Sequence, residues 1–183
     1  MNDIVSDISL AFHNILDQLL YDPQAPLLFS SGLFWFLFIL FLPLYALVKK
    51  NKTRMVLFVV AFSLYFYYKS SGIFFLMLIA TSFIDWSLSR LIHKTEKRPL
   101  RLALMWLSVL VSLSILGYFK YANFFLWNWN AMVQGNFQPL DIILPVGISF
   151  YTFQSISYVV DVYKRRIDPT DSWIDYLFFL SFF

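Results

Sequence analysis

Cysteine is absent from the 183 residues. That excludes a disulfide framework, a thiolate metal site and a cysteine nucleophile. Histidine is nearly absent, with only His13 and His93. A Ser-His-Asp arrangement would have to recruit one of these two, and they stand in the wrong segments for it. Zinc would need three clustered ligands from His, Cys, Asp and Glu, and no such cluster exists, so no metal site is expected. No GxGxxG or phosphate-loop pattern occurs. Charge is scarce at 14%, against roughly 25% in soluble domains. The net charge of +3 is too small to argue for nucleic acid. A basic leader and a small-residue cleavage site are also missing. Asp3, Asp7, Asp17 and Asp22 precede the first long apolar run, so the N-terminus does not read as a signal peptide.

What the chain does have is grease. Hydrophobic residues make up 60% and aromatics 21%. A water-soluble fold of this size could not bury that much apolar surface. The expected class is an all-α, multi-pass transmembrane bundle. About 20 apolar residues cross the hydrocarbon, and runs suited to that role occur at 27–48, 72–92, 102–119 and 145–163. Pro43 is a candidate kink in the first. A shorter run at 55–68 reaches only ~21 Å, which calls for a thinned bilayer, polar residues borrowed from its ends, or snorkelling by Arg54 and Lys69. A sixth stretch starts near Trp173 and is still running at Phe183. Residues 1–25 form a separate extension. Its positions 3–20 alternate in helical fashion, as an interfacial amphipathic helix or as a cap packed on the rest.

The charges order these runs. Lys49, Lys50, Lys52 and Arg54 follow the first. Arg90, Lys94, Lys97, Arg98 and Arg101 surround the end of the third. Lys164, Arg165 and Arg166 follow the fifth. Twelve of the fourteen Lys and Arg therefore lie in alternate loops, the pattern of cytoplasmic loops. The N-terminus is expected outside. The segment 121–144, with Trp127, Trp129 and several amide side chains but no Lys or Arg, is expected on the outer side, where aromatics suit the interface and could also stack on sugars.

Within the fifth run, Gly147, Tyr151, Gln154, Tyr158 and Asp161 recur at helical spacing as one stripe. Polar groups at membrane depth face the bundle interior or water. The stripe reads either as a channel wall or as interhelical glue. Asp161 stands one turn from Lys164 and Arg165 and is placed to pair with them. Asp85, inside the third run, must pair, protonate or touch water, with Arg90 or a neighbouring helix as its economical partner.

The segment ILPVGISFYTFQSISYVVDVYKRRIDP at 143–169 resembles the signature of the membrane-bound O-acyltransferases, in particular their alginate O-acetyltransferase-like branch. LLFSSGLFWFLFILFLPLYALV at 27–48 is similar to that family's opening span, GYFKYANFF at 117–125 to the block before the signature, and WIDYLFFLSFF at 173–183 to its next helix. The resemblance covers about residues 26–183, read as the N-terminal part of the family domain, cut before the catalytic region. It implies a helical bundle around a channel. It also implies transfer of an acetyl group from a cytoplasmic donor, acetyl-CoA or another acyl thioester, to a cell-envelope polysaccharide such as alginate. No bound cofactor is implied. Implied partners are membrane lipids, the acyl donor and an extracytoplasmic acetyltransferase or polysaccharide-handling protein. The implied location is the cell inner membrane. The family's catalytic His lies beyond residue 183, and neither His13 nor His93 sits in its motif, so no catalytic residue is expected here. Channel-lining candidates are Tyr151, Gln154, Tyr158, Asp161, Lys120, Asn123 and Asp85. Lys120 either snorkels outward or lines the channel exit. The alternative reading is a non-catalytic membrane module or remnant that docks export or modification partners.

Overall fold

A computed structural model describes residues 20–22, 27, 31–133, 135, 138–142 and 144–182. Residues 3–19 of the expected amphipathic helix, His13 and Gln134 lie outside the described residues, as do Phe183 and most of the 1–25 extension. The described residues form helices, turns and irregular segments, with no strand.

Helix α1 spans Gly32–Val48, and the Ser31 hydroxyl caps it by accepting from the Phe34 amide at 3.2 Å. The helix continues through Pro43. A three-residue link ends in Asn51, whose side chain caps α2, Lys52–Ser71, through the Arg54 amide. This second span is twenty residues long rather than the fourteen of its apolar stretch. At 1.5 Å per residue it reaches ~30 Å, the thickness of the hydrocarbon core, so no thinning is required. The polar ends join the helix because they are paired. Lys69 donates to the Leu20 carbonyl, and the Ser70 hydroxyl donates to the carbonyls of Leu27 and Phe66.

Gly72 stops α2. Its φ of 59° and ψ of −135° belong to a region open in practice to glycine alone. One 3₁₀ turn, Gly72–Phe74, leads into α3, Phe75–Lys94. The 43 residues Lys52–Lys94 are helical almost throughout, yet they fold back as a hairpin. Both far ends meet the segment 170–175: Lys52 and Thr53 line a cleft with Ser172 and Asp175, and the Arg90 guanidinium donates to the Asp171 carbonyl at 3.0 Å.

Helix α4, Arg98–Leu116, continues through a π-helical turn, Gly117–Tyr121, into α5, Ala122–Val133. The rod has 36 residues and is ~54 Å long, well beyond the expected span at 102–119. Helix α6 is Ile148–Tyr163 and α7 is Trp173–Ser181. The fifth run thus becomes helical only after Gly147, whose φ is 74°. Gly147 precedes the helix and does not belong to the stripe.

The core lies where α3, α4, α6 and α7 meet, around Leu78, Ile92, Met105, Val159, Val162 and Tyr176. Helix α1 buries none of its residues. Large apolar side chains such as Leu47, Trp106, Phe150 and Phe153 face outward, as on a surface that meets lipid or further protein.

The three basic loops converge at one end of the bundle. Arg165 reaches Glu96 at 3.6 Å, the Arg101 guanidinium lies 5.2 Å from the Tyr163 ring, and Lys52 neighbours Ser172. The opposite end holds the Gly72 turn, the Phe74–Phe119 ring contact and a bond from the Val146 amide to the Ser71 hydroxyl at 3.0 Å.

Candidate functional site

A deeply buried polar feature is centred on Asp85. Helix α3 brings Thr81, Ser82, Asp85 and Ser89 to its buried face through i, i+3, i+4 spacing. Helix α4 presents Ser108 and Ser112, one turn apart, to the same point, and α6 presents Ser155. Ser108 donates to Asp85 Oδ1 at 2.6 Å, Ser112 to Oδ2 at 3.3 Å, and Ser155 also to Oδ2. The Ser155 and Tyr176 hydroxyls share a hydrogen bond of 2.9 Å, which brings in α7. One carboxylate, 2% exposed, thereby ties four helices together.

Arg90 is not its partner. That guanidinium lies 5.1 Å from the Trp86 ring and donates to the Asp171 carbonyl. Among the described residues no salt bridge reaches Asp85. The neighbouring helices supply its partners, and all of them are neutral hydroxyls. Ser108, Ser112, Ser155 and Tyr176 were not singled out by sequence reasoning. A signal exists in the i, i+4 serine pair of the otherwise apolar α4, which faces inward for the same reason that Asp85 does.

The stripe of α6 divides between two environments. Tyr151 is buried, with its ring 6.4 Å from that of Tyr67. Gln154, Tyr158 and Asp161 line an open groove of about 810 Å³ between α6 and α7, together with Phe150, Phe153 and Phe179. Gln154 Nε2 donates to the Phe179 carbonyl at 2.8 Å, and the Tyr158 hydroxyl accepts from the Thr170 amide at 2.8 Å. These residues fasten α6 to α7 and to the 164–172 loop while presenting atoms to the groove. Asp161 pairs with Arg166 at 3.3 Å rather than with Lys164 or Arg165. Arg165 turns to Glu96 instead.

Lys120 and Asn123 sit apart from both features. Lys120 donates to the Ser149 hydroxyl at 3.2 Å, at the start of α6. Asn123 holds Leu140 at both backbone atoms: its amide donates to the carbonyl at 2.9 Å and its carbonyl accepts from the Leu140 amide at 2.8 Å. His93 lies at the basic end with Nδ1 3.8 Å from the exposed carboxylate of Asp168. It is not among the hydrogen-bond partners of the Asp85 centre, where the carboxylate itself is the one acidic or basic group beside the described hydroxyls. Among the described residues no group of three His, Cys, Asp or Glu could hold a metal ion.

An all-helical bundle with outward apolar faces, helices long enough to cross a bilayer and a buried carboxylate hub defines a protein of membrane character. Comparison with known proteins narrows the class. No family model matches the chain. No solved structure matches it. Among curated proteins, it is 36% identical over 164 residues to a protein of Pseudomonas aeruginosa named "probable alginate O-acetylase", covering 86% of this chain and 31% of that protein. It is 38% identical over 165 residues to the protein of that name from Pseudomonas putida, covering 86% and 33%. It is 31% identical over 188 residues to the peptidoglycan O-acetyltransferase of Helicobacter pylori, covering 86% and 35%. The resemblance read from the signature holds: the chain is related to the alginate O-acetyltransferase-like branch of the membrane-bound O-acyltransferases. It spans about a third of the length of the relatives it matches.

Proposed function

We propose that this chain is the scaffold third of a membrane-embedded O-acetyltransferase that modifies a cell-envelope polysaccharide such as alginate. The observation that carries the proposal is the 36–38% identity to alginate O-acetylases across 86% of the chain. It corresponds to the N-terminal part of the family domain, with the catalytic His supplied by the remaining two thirds. Its basic end faces the cytoplasm of a cell inner membrane and its N-terminus lies outside. The acetyl donor is acetyl-CoA or another acyl thioester, offered from the basic end. An extracytoplasmic acetyltransferase or polysaccharide-handling protein completes the transfer.

In this role the α6/α7 groove forms one wall of the channel. Gln154, Tyr158 and Asp161 give that wall hydrogen-bonding atoms, and Phe150 and Phe153 give it an apolar flank. The rest of the enzyme closes it.

The similarity to a peptidoglycan O-acetyltransferase supports a second acceptor, a peptidoglycan glycan strand. The alternative is a non-catalytic membrane module that docks export or modification partners. One experiment separates these readings. The chain is expressed in an alginate-producing strain lacking its O-acetylase, alone and together with the missing two thirds of a relative, and ester-linked acetate on alginate and peptidoglycan is measured. Acetylation restored only by the pair supports the scaffold role and identifies the acceptor. Acetylation by the chain alone contradicts it, and no acetylation with the pair leaves the docking module as the better reading.

A further inference from the structure

One side of α1 is a ladder of rings. Phe34, Phe38, Phe41 and Tyr45 recur at i, i+4, i+7 and i+11, and each ring stacks on the next at interplanar angles of 16°, 11° and 19°. The ladder leans on α2 through Phe41, whose ring lies 4.6 Å from that of Phe62 and 5.2 Å from that of Phe58. Between the ladder, α2 and Phe178 of α7 runs a groove of about 390 Å³. Its lining is apolar apart from the Tyr45 hydroxyl and Ser63, and the Tyr45 hydroxyl is turned to Met55 Sδ at 3.6 Å. From Phe34 to Tyr45 the groove is ~17 Å long at 1.5 Å per residue. That is close to half of the ~30 Å hydrocarbon core, the depth of one leaflet. The volume spread over this length gives a cross-section of ~23 Å², room for one extended hydrocarbon chain and not for a helix ~10 Å across.

The Tyr45 end of the groove is the basic end. Lys49 stands one turn beyond Tyr45, with its amide bonded to the Tyr45 carbonyl at 2.9 Å, and Arg54 adjoins Met55. Lys49, Lys50, Lys52 and Arg54 are all exposed, and among the described residues none of them forms an ion pair. Asp175 shares a cleft with Lys52 and offsets at most one of the four charges. We propose that the groove and the 49–54 loop together bind one anionic phospholipid, its acyl chain against the ring ladder and its phosphate among the four basic side chains. The two halves of the site point to the same occupant. An apolar groove alone would accept any hydrocarbon chain. Four Lys and Arg at the end of a membrane helix attract anionic headgroups, and a zwitterionic lipid would leave their charge uncompensated. A lipid with one negative headgroup satisfies the groove and the loop at once. The site does not rest on acyl transfer, only on the membrane character of the bundle.

The test is thermal unfolding of the full chain in a neutral detergent, titrated with phosphatidylglycerol, with phosphatidylcholine of the same chains, or with glycerol 3-phosphate. Ligand binding to the native state raises the midpoint in a saturable way. The expected result is a rise of about 2–4 °C with phosphatidylglycerol that the other two do not reproduce. Lys49→Gln, Lys50→Gln, Lys52→Gln and Arg54→Gln combined should raise the phosphatidylglycerol concentration required by roughly ten-fold or more. Leu42→Trp, at an exposed position that lines the groove, should raise it several-fold while the protein stays folded. An equal response to phosphatidylcholine would overturn the proposal, as would no response to any of the three. A response reproduced by glycerol 3-phosphate, which carries the phosphate without a chain, would also overturn it. So would a phosphatidylglycerol response that Leu42→Trp leaves unchanged. The comparison on the unaltered chain decides the matter even if the variants do not fold.

Discussion

Ser155 on α6 donates its hydroxyl proton to the Asp85 carboxylate on α3 while sharing a second hydrogen bond with Tyr176 on α7. One hydroxyl thus bridges three helices, α3 lying 70 residues from Ser155 and α7 following α6 directly. Interhelical bonds of this kind contribute roughly 0.6–2 kcal/mol each in membrane proteins. Ser155→Ala removes both at once and leaves the Tyr176 hydroxyl buried without that partner. The expected loss is about 1–3 kcal/mol, seen as a lower unfolding midpoint in detergent. Ser157→Ala, on an exposed position of the same helix, should stay within about 0.5 kcal/mol of the parent. Equal effects from the two substitutions would mean that the hub does not hold the bundle.

Gly72 gives a second prediction. A Cβ there would stand 2.7 Å from the Tyr21 ring, on a backbone with φ of 59°. Gly72→Ala should cost about 1–3 kcal/mol and loosen the α2–α3 hairpin, measurable as faster proteolysis near residues 70–75. Gly32→Ala meets nothing within 4 Å and places a better helix former in the first turn of α1, so its stability should hold or rise slightly.

The indole of Trp86 donates to the Thr170 carbonyl at 2.9 Å. It fixes the 164–172 loop against α3 together with Arg90. Trp86→Phe keeps an aromatic ring and removes the donor. The loop amides from 168 to 172 should exchange hydrogen several-fold faster, while α4 protection stays unchanged. Unaltered exchange in the loop would show that the loop is held by other contacts.

Sidedness can be checked with reporter fusions. Fusions after Arg54, Lys97 and Arg166 should report cytoplasm, and one near Asn136 should report the outside. A reversed signal at Lys97 would undo the assigned orientation.

Much of the fold was legible because its physics is one-dimensional. Apolar run length and the placement of basic residues are properties of the sequence, and the loops carrying Arg54, Lys97 and Arg165 do converge. Helix limits were less legible. The second span extends over Lys69 and Ser70 because those side chains find carbonyls on Leu20 and Leu27, and such partners are invisible to a hydropathy window. The stripe on α6 was visible as periodicity, but Tyr151 and Tyr158 are buried in the core while Gln154 and Asp161 face the groove, which Tyr158 also borders. A stripe on a helix is wide enough to serve two neighbours. The partners of Asp85 were missed because serine is too common and too small to stand out. Only the packing of α4 and α6 on α3 gives those hydroxyls a common target.

The π-helical turn at Gly117–Tyr121 accommodates one residue more than a regular turn would. Each residue of an α-helix turns the chain by about 100°. Removing one residue from that turn would swing the whole Ala122–Val133 arm around its axis by about that angle. Asn123 would then point away from Leu140, and the aromatic tip carrying Trp127 and Trp129 would address a different sector of its surroundings. The heading of a twelve-residue arm is thereby stored in a single surplus peptide unit.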